Sequence, residues 1–139
     1  MSFEEIYNDH AARVYRYLCF KLRDQQLAED LLQETFLAVY RQRSRIGEVV
    51  SIRSWVLGIA HHKMVDYLRR GTVPTVEMTN DIPSLELGGS LELWEMLKQL
   101  DDSSRTIVYG LYVEGLSYRE LAHMLSVPEG TVKSRAYTA

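Results

Sequence analysis

The sequence holds one cysteine and three prolines in 139 residues, and these shortages exclude several classes at once. A lone Cys19 cannot form an internal disulfide, so the fold must rest on its core. Lying in "RYLCF", that thiol is expected to be buried and inert, in a reducing cytoplasm. No apolar run nears the roughly 20 residues that a spanning helix needs, so no membrane insertion is expected. The opening "MSFEEIYNDH" has neither a basic start nor an apolar stretch, and no secretory signal is expected there. Positive charge is also short, with 16 Lys and Arg against 19 Asp and Glu and a net charge of −3. Apolar residues are plentiful at 46%, enough for the core of one ordinary domain or two small ones.

The charge is unevenly spread. Residues 1–71 hold 11 Lys and Arg against 9 Asp and Glu, residues 72–104 hold 1 against 7, and residues 105–139 hold 4 against 3. Two mildly basic blocks with an acidic joint is the organisation this implies. The joint contains "GTVPTVEMTNDIPSLELGGS" (71–90), which has two prolines, three glycines, no basic residue and no steady period. It reads as a solvated linker.

Both blocks read as all-α. Phe3, Ile6, Tyr7, Ala11, Val14, Leu18 and Leu22 recur at helical spacing, with Arg13, Arg16 and Arg23 between them as a partly basic outer surface. Asp24 is placed to cap a second helix running to about Arg43, whose buried stripe is Leu27, Leu31, Leu32, Thr35, Phe36 and Val39. "RSRIGEVVS" (43–51) breaks the period and reads as a loop. A third helix spans about Ile52 to Arg70. Past the linker, Leu91, Trp94, Leu97 and Leu100 resume the period until "DDSS" (101–104). Residues 105–115 make another helix with Gly115 as its left-handed stop. Ser117 and Glu120 form a capping box for a helix that buries Leu121, Ala122 and Leu125. Pro128 opens a last helix, where its fixed φ is suited and its missing N–H costs nothing.

Three stretches carry function. "GLSYRELAHMLSVPEGTVKSR" (115–135) reads as a helix-turn-helix with a three-residue turn. Val132 is its buried anchor, and Glu129, Gly130, Thr131, Lys133, Ser134 and Arg135 face outward toward phosphates and base edges. In "AEDLLQETFLAVYRQ" (28–42), Asp30, Gln33, Glu34, Leu37 and Arg41 form one strip opposite the buried stripe. An apolar Leu37 ringed by carboxylates and amides is unlike a merely solvated face and typical of a docking surface, one suited to a basic protein. In "SIRSWVLGIAHHKMVDYLRR" (51–70), His62, Asp66, Arg69 and Arg70 share one side, with Arg53, His61 and Lys63 adding charge nearby. Trp55 reads as core. His61 and His62 point about 100° apart on a helix and no Cys or carboxylate cluster completes a ligand set, so no metal and no cofactor are expected.

"AEDLLQETF", "RSWVLGIA…D…RR" and the 115–135 segment, in this order, resemble the group IV (extracytoplasmic function, ECF) bacterial sigma factors of the sigma-70 family. The resemblance covers almost the whole chain. It implies two small helical domains, region 2 over 1–71 and region 4 over 91–139, joined by the acidic linker 72–90. It implies a transcription initiation factor, not an enzyme, whose partners are core RNA polymerase (the β′ clamp helices and the β flap), promoter DNA and an anti-sigma factor that masks the docking strip. On this chain Asp30, Gln33, Glu34, Leu37 and Arg41 fall in the polymerase-docking segment. The loop Arg45–Ser51 falls where the family captures a flipped −10 base. Arg45, Arg53, His62, Lys63, Asp66, Arg69 and Arg70 fall on or near the −10 face. Glu129, Thr131, Lys133, Ser134 and Arg135 fall on the −35 helix, with Ser117 and Arg119 beside it. The chain departs from the family at three places. His62 stands where Asn is usual, Asp101 follows Leu100 where Leu-Pro is common, and "RAYTA" ends the sequence where a basic, Leu-containing tail usually follows. Three other readings remain open at this point: an autonomous helix-turn-helix regulator, a metal phosphohydrolase using His61, His62 and Asp66, and a sigma-like decoy that opens no promoter.

Overall fold

Helix caps written into the sequence set most of the element boundaries. The computed structural model describes residues 2–70 and 99–138. Helix α1 (Phe3–Leu22) starts at Ser2, whose hydroxyl accepts from Glu5 N while the Glu5 carboxylate accepts from Ser2 N, a complete capping box. It stops at Arg23, whose left-handed backbone (φ 55°) lets its N–H reach Cys19 O at 2.9 Å. Asp24 then caps α2 (Gln25–Arg41) by accepting from Leu27 N at 3.1 Å. Ser51 does the same for Ser54 N at 3.3 Å at the start of α3 (Ile52–Arg70).

These three helices pack pairwise. Their seam is filled by Ile6, Val14, Tyr17, Leu18 and Phe20 of α1, Ala28, Leu31, Phe36 and Val39 of α2, and Val56, Leu57, Ala60 and Met64 of α3. Full burial of each large apolar side chain contributes about 1.5–3 kcal/mol. Cys19 is buried here, and burial pushes its thiol up, away from the reactive thiolate. Its hydrogen bond with Tyr15 is the main reason that phenol is pushed up to about 12.

Several details depart from the sequence reading, among them that Leu27 and Leu32 of the α2 stripe are only half-buried. Arg23, at the left-handed stop of α1, is buried rather than on a basic outer surface. Tyr7 is 43% exposed although it shares the spacing of the buried stripe. Helix α2 ends at Arg41, and residues expected to be loop instead wind into a 3₁₀ helix, Arg43–Glu48. In the second half, Met124 rather than Leu125 is the buried residue of its turn.

Contacts between Cα atoms group the chain into two units, Met1–Leu85 and Glu86–Ala139. In the second, Asp101 caps α4 (Asp102–Val108) by accepting from Ser104 N at 2.7 Å, which holds its carboxyl below the usual range. Helix α4 runs into one π-helical turn, Tyr109–Val113, and Gly115 (φ 67°) supplies the expected left-handed stop. Ser117 and Glu120 form the expected capping box of α5 (Tyr118–Leu125), both bonds at 3.0 Å. Three residues, Ser126 to Pro128, separate it from α6 (Glu129–Thr138). Among the described residues every regular element is helical. The linker and Leu91, Trp94 and Leu97 lie outside the described residues.

Candidate functional site

The acidic strip of α2 reaches the surface whole. Asp30, Gln33, Glu34, Leu37 and Arg41 are all exposed, and Leu37 is 53% exposed. Thr35, one residue from Glu34, is buried, and its hydroxyl donates to Leu31 O at 2.7 Å, so the helix keeps its two faces apart. Gln26 Nε2 donates to Asp30 Oδ1 at 3.2 Å, which steadies the start of the strip.

Sequence reasoning missed what borders this strip. Phe3, Glu4, Tyr7 and Asn8 of α1 and Gln33, Phe36, Leu37 and Tyr40 of α2 line a groove of about 720 Å³. Its aromatic rings meet edge to face, Tyr7 on Phe36 at 4.9 Å and Phe3 on Tyr40 at 5.3 Å. The Arg43 guanidinium covers the Tyr40 ring at 3.9 Å and donates to Tyr40 O at 2.9 Å. Gln33 and Leu37 belong to both groove and strip. The signal was present as pairs four residues apart, Phe3 with Tyr7 and Phe36 with Tyr40, which periodicity alone assigns to the core.

On α3, His62, Asp66, Arg69 and Arg70 are exposed and Lys63 is half-buried. Arg53 stands nine residues before His62, about two and a half turns and so on the other side of the helix. Its positive charge adds a small part to the lowering of His10 on α1, after burial and Arg13. Arg45 is exposed on the 3₁₀ helix, and Val50 beyond it is 81% exposed. Trp55 is half-buried. The rings of His61 and His62 lie 5.6 Å apart. Among the described residues no three His, Cys, Asp or Glu side chains are grouped to hold a metal ion.

The second unit presents a braced recognition helix. Val132 is fully buried against the pair α4 and α5 that α6 packs on. Glu129, Gly130, Lys133, Ser134 and Arg135 are exposed, while Thr131 is half-buried. Pro128 O accepts from Thr131 N at 3.0 Å and so begins the helix. Lys133 Nζ lies 3.3 Å from Glu129 Oε2. The Ser104 hydrogen bonds first, and then the charge of Arg135, hold the Asp101 carboxyl low. Ser117 is exposed but committed to its cap. Arg119 and His123, one turn apart on α5, line a cleft of about 530 Å³ with Ser126 and Glu129 at the turn. His123 was not singled out from sequence, although its spacing from Arg119 places it on the same face.

The pattern described as Sigma-70 region 2 matches residues 6–72, and that described as Sigma-70, region 4 matches residues 90–139. RNA polymerase sigma factor CarQ of Myxococcus xanthus is 31% identical, over 98% of this chain and 83% of that protein. The chain belongs to the ECF sigma factors of the sigma-70 family. ECF RNA polymerase sigma factor SigM of Bacillus subtilis (strain 168) is 29% identical, over 100% of this chain and 91% of that protein. In fold, this sigma factor is similar to RpoE from Bartonella quintana, solved in complex with the anti-sigma factor NepR. The TM-score is 0.74 at 17% identity, covering 98% of this chain and 90% of that one. The sigma factor directs RNA polymerase to promoters, and its family is not enzymatic. Its partners are therefore RNA polymerase and promoter DNA. The regulator and phosphohydrolase readings give way to this one. Among the described residues no helix is long and apolar enough to cross a membrane.

Proposed function

We propose that this sigma factor docks on core polymerase through the α2 strip and reads promoters with two separate surfaces. Asp30, Gln33, Glu34, Leu37 and Arg41 meet the β′ clamp helices. Arg45, His62, Lys63, Asp66, Arg69 and Arg70 face the −10 element, with Arg53 supporting α3 from its other side. Glu129, Thr131, Lys133, Ser134 and Arg135, with Ser117 and Arg119 on α5, contact the −35 element, while region 4 also touches the β flap. Residues 72–90 join region 2 (1–71) to region 4 (91–139) as an acidic linker in the RNA-exit path. The work is done in the cytoplasm, where the polymerase is, and an anti-sigma factor that covers the strip holds the protein inactive until a signal arrives. No cofactor is required.

The observation that supports this best is Leu37, half exposed beside Gln33 and Glu34 and continuous with an aromatic groove. Soluble surfaces seldom leave such a residue uncovered beside an apolar concavity without a partner for it. The test reverses the strip's sign with Asp30→Lys and Glu34→Lys in the full chain. Affinity for core polymerase and run-off transcription are expected to fall more than about tenfold, with helix content unchanged. Undiminished transcription from cognate start sites would overturn the docking assignment. Run-off transcription by the unaltered protein separates an opening factor from a decoy.

A further inference from the structure

Tyr17 is fully buried on α1, and its hydroxyl lies 2.8 Å from His61 Nδ1 on α3, 44 residues away in sequence. The neighbouring positions of this seam, Leu18, Leu57 and Ala60, are apolar. A buried phenol is costly there unless its hydroxyl has a partner, and His61 supplies one that an aliphatic pair would not need. The His61 ring is half-buried, and the exposed His62 ring packs edge-on against it at 5.6 Å and 63°. Successive helical residues point about 100° apart, so His61 lies between the core seam and the surface that His62 occupies. The three side chains form a chain from the core to that surface.

We infer that Tyr17 and His61 are positioning residues that hold the His62 ring in one orientation toward the −10 strand. The inference rests on the reading of the α3 face as the −10 surface. The hydrogen bond restricts the His61 ring whichever nitrogen carries its proton, and a fixed His61 leaves His62 fewer rotamers. A side chain ordered in advance loses less freedom on binding, which is worth about threefold to tenfold in affinity. His62 then contributes to the choice of −10 sequence as an oriented ring, and Tyr17, which touches no DNA, sets how sharply it does so.

The test is a double-mutant cycle in full-length protein bound to core polymerase. Promoter opening is read by permanganate reactivity of −10 thymines, on a cognate promoter and on one with a substituted −10 element. Tyr17→Phe, which keeps the ring and removes the hydroxyl, is expected to lower opening about threefold to tenfold and to narrow the gap between the promoters. Polymerase affinity is expected to stay unchanged. In a His62→Ala background the same substitution is expected to change opening by less than about twofold. His61→Leu, which fills similar space, is the second probe and is expected to match Tyr17→Phe. Equal losses from Tyr17→Phe with and without His62 would show a general packing role and overturn the inference. Loss from His62→Ala but none from Tyr17→Phe or His61→Leu would overturn it while leaving the −10 surface standing. No effect of His62→Ala would remove both.

Discussion

His10 is half-buried on α1, and its Nδ1 lies 3.1 Å from an Arg13 guanidinium nitrogen. A guanidinium can only donate, so Nδ1 is the acceptor and the proton of the neutral ring sits on Nε2. Adding a proton at Nδ1 breaks that bond and puts two cations together. Burial first, then the charge of Arg13, hold this imidazole below its usual value of 6.5; Asp9 opposes them and Arg53 adds to them. The unfolded chain therefore takes up the proton first as pH falls. The contribution of His10 to stability is complete above about pH 6.5 and is lost as pH drops through that value toward the lower folded one. His10→Gln keeps an acceptor that does not titrate. Between about pH 8 and about pH 5, the urea midpoint of the natural protein is expected to fall further than that of the variant. Parallel midpoints would show that His10 is not linked to folding. Residue-level features with a local cause, such as the Ser117–Glu120 box and the Asp24 cap, were legible in the sequence. Arg23 was not, because nothing in an arginine announces a left-handed stop or a buried side chain.

At the scale of elements, the unexpected feature is the π-helical turn at Tyr109–Val113. It inserts an extra residue into the turn that ends α4 and brings Gly110 against α5. A Cβ at Gly110 would overlap Leu121 Cδ2, and Leu121 is fully buried. The turn is tied down by Tyr109, whose buried hydroxyl donates to Glu114 Oε2 at 2.7 Å, and by Leu116 N donating to Gly110 O at 2.8 Å. Helix α5, at eight residues, is too short to persist alone and depends on this contact and its caps. Gly110→Ala is therefore expected to destabilise the protein by about 1–3 kcal/mol through overpacking. Gly130→Ala, where a Cβ meets nothing within 4 Å, is expected to be neutral or slightly stabilising. Chemical denaturation of the two variants checks the pair, and equal midpoints would contradict it. Helical periodicity made α1, α2 and α3 legible, and turn chemistry did so for the helix-turn-helix. The 3₁₀ helix at Arg43–Glu48 and the π turn depart from the 3.6-residue period, so a search for that period reads them as loop or ordinary helix. The aromatic groove was illegible for a related reason. Spacing identifies an apolar face, but only packing shows that part of that face, at Tyr7 and Tyr40, remains uncovered.

For the whole molecule the governing quantity is a net charge of −3 on a protein that must read DNA. Non-specific affinity grows with the number of phosphates neutralised, and residues 105–139 carry only 4 Lys and Arg against 3 Asp and Glu. Attraction to DNA must then come mostly from the polymerase, leaving the sigma factor to supply recognition. Lys133 tests this division. Its ion pair with Glu129 is exposed and spans one helical turn, so it is worth at most about 0.5 kcal/mol and gives way readily to a phosphate. In the complete complex, Lys133→Ala is expected to weaken all promoters alike and to lower the slope of log affinity against log salt by about 1. Glu129→Ala, which frees the same lysine but removes a −35 contact, is expected to raise affinity for unrelated DNA, most at low salt, and to narrow the gap between promoters that differ at −35. For the sigma factor alone, binding to promoter and to unrelated DNA is expected to be similar and weak, with Kd near about 10⁻⁴–10⁻⁶ M. Titrations of labelled promoter DNA across a salt series, with and without core polymerase, measure all three. Tight promoter-specific binding by the isolated chain would mean that its own few cations suffice, and the acidic balance would need another explanation.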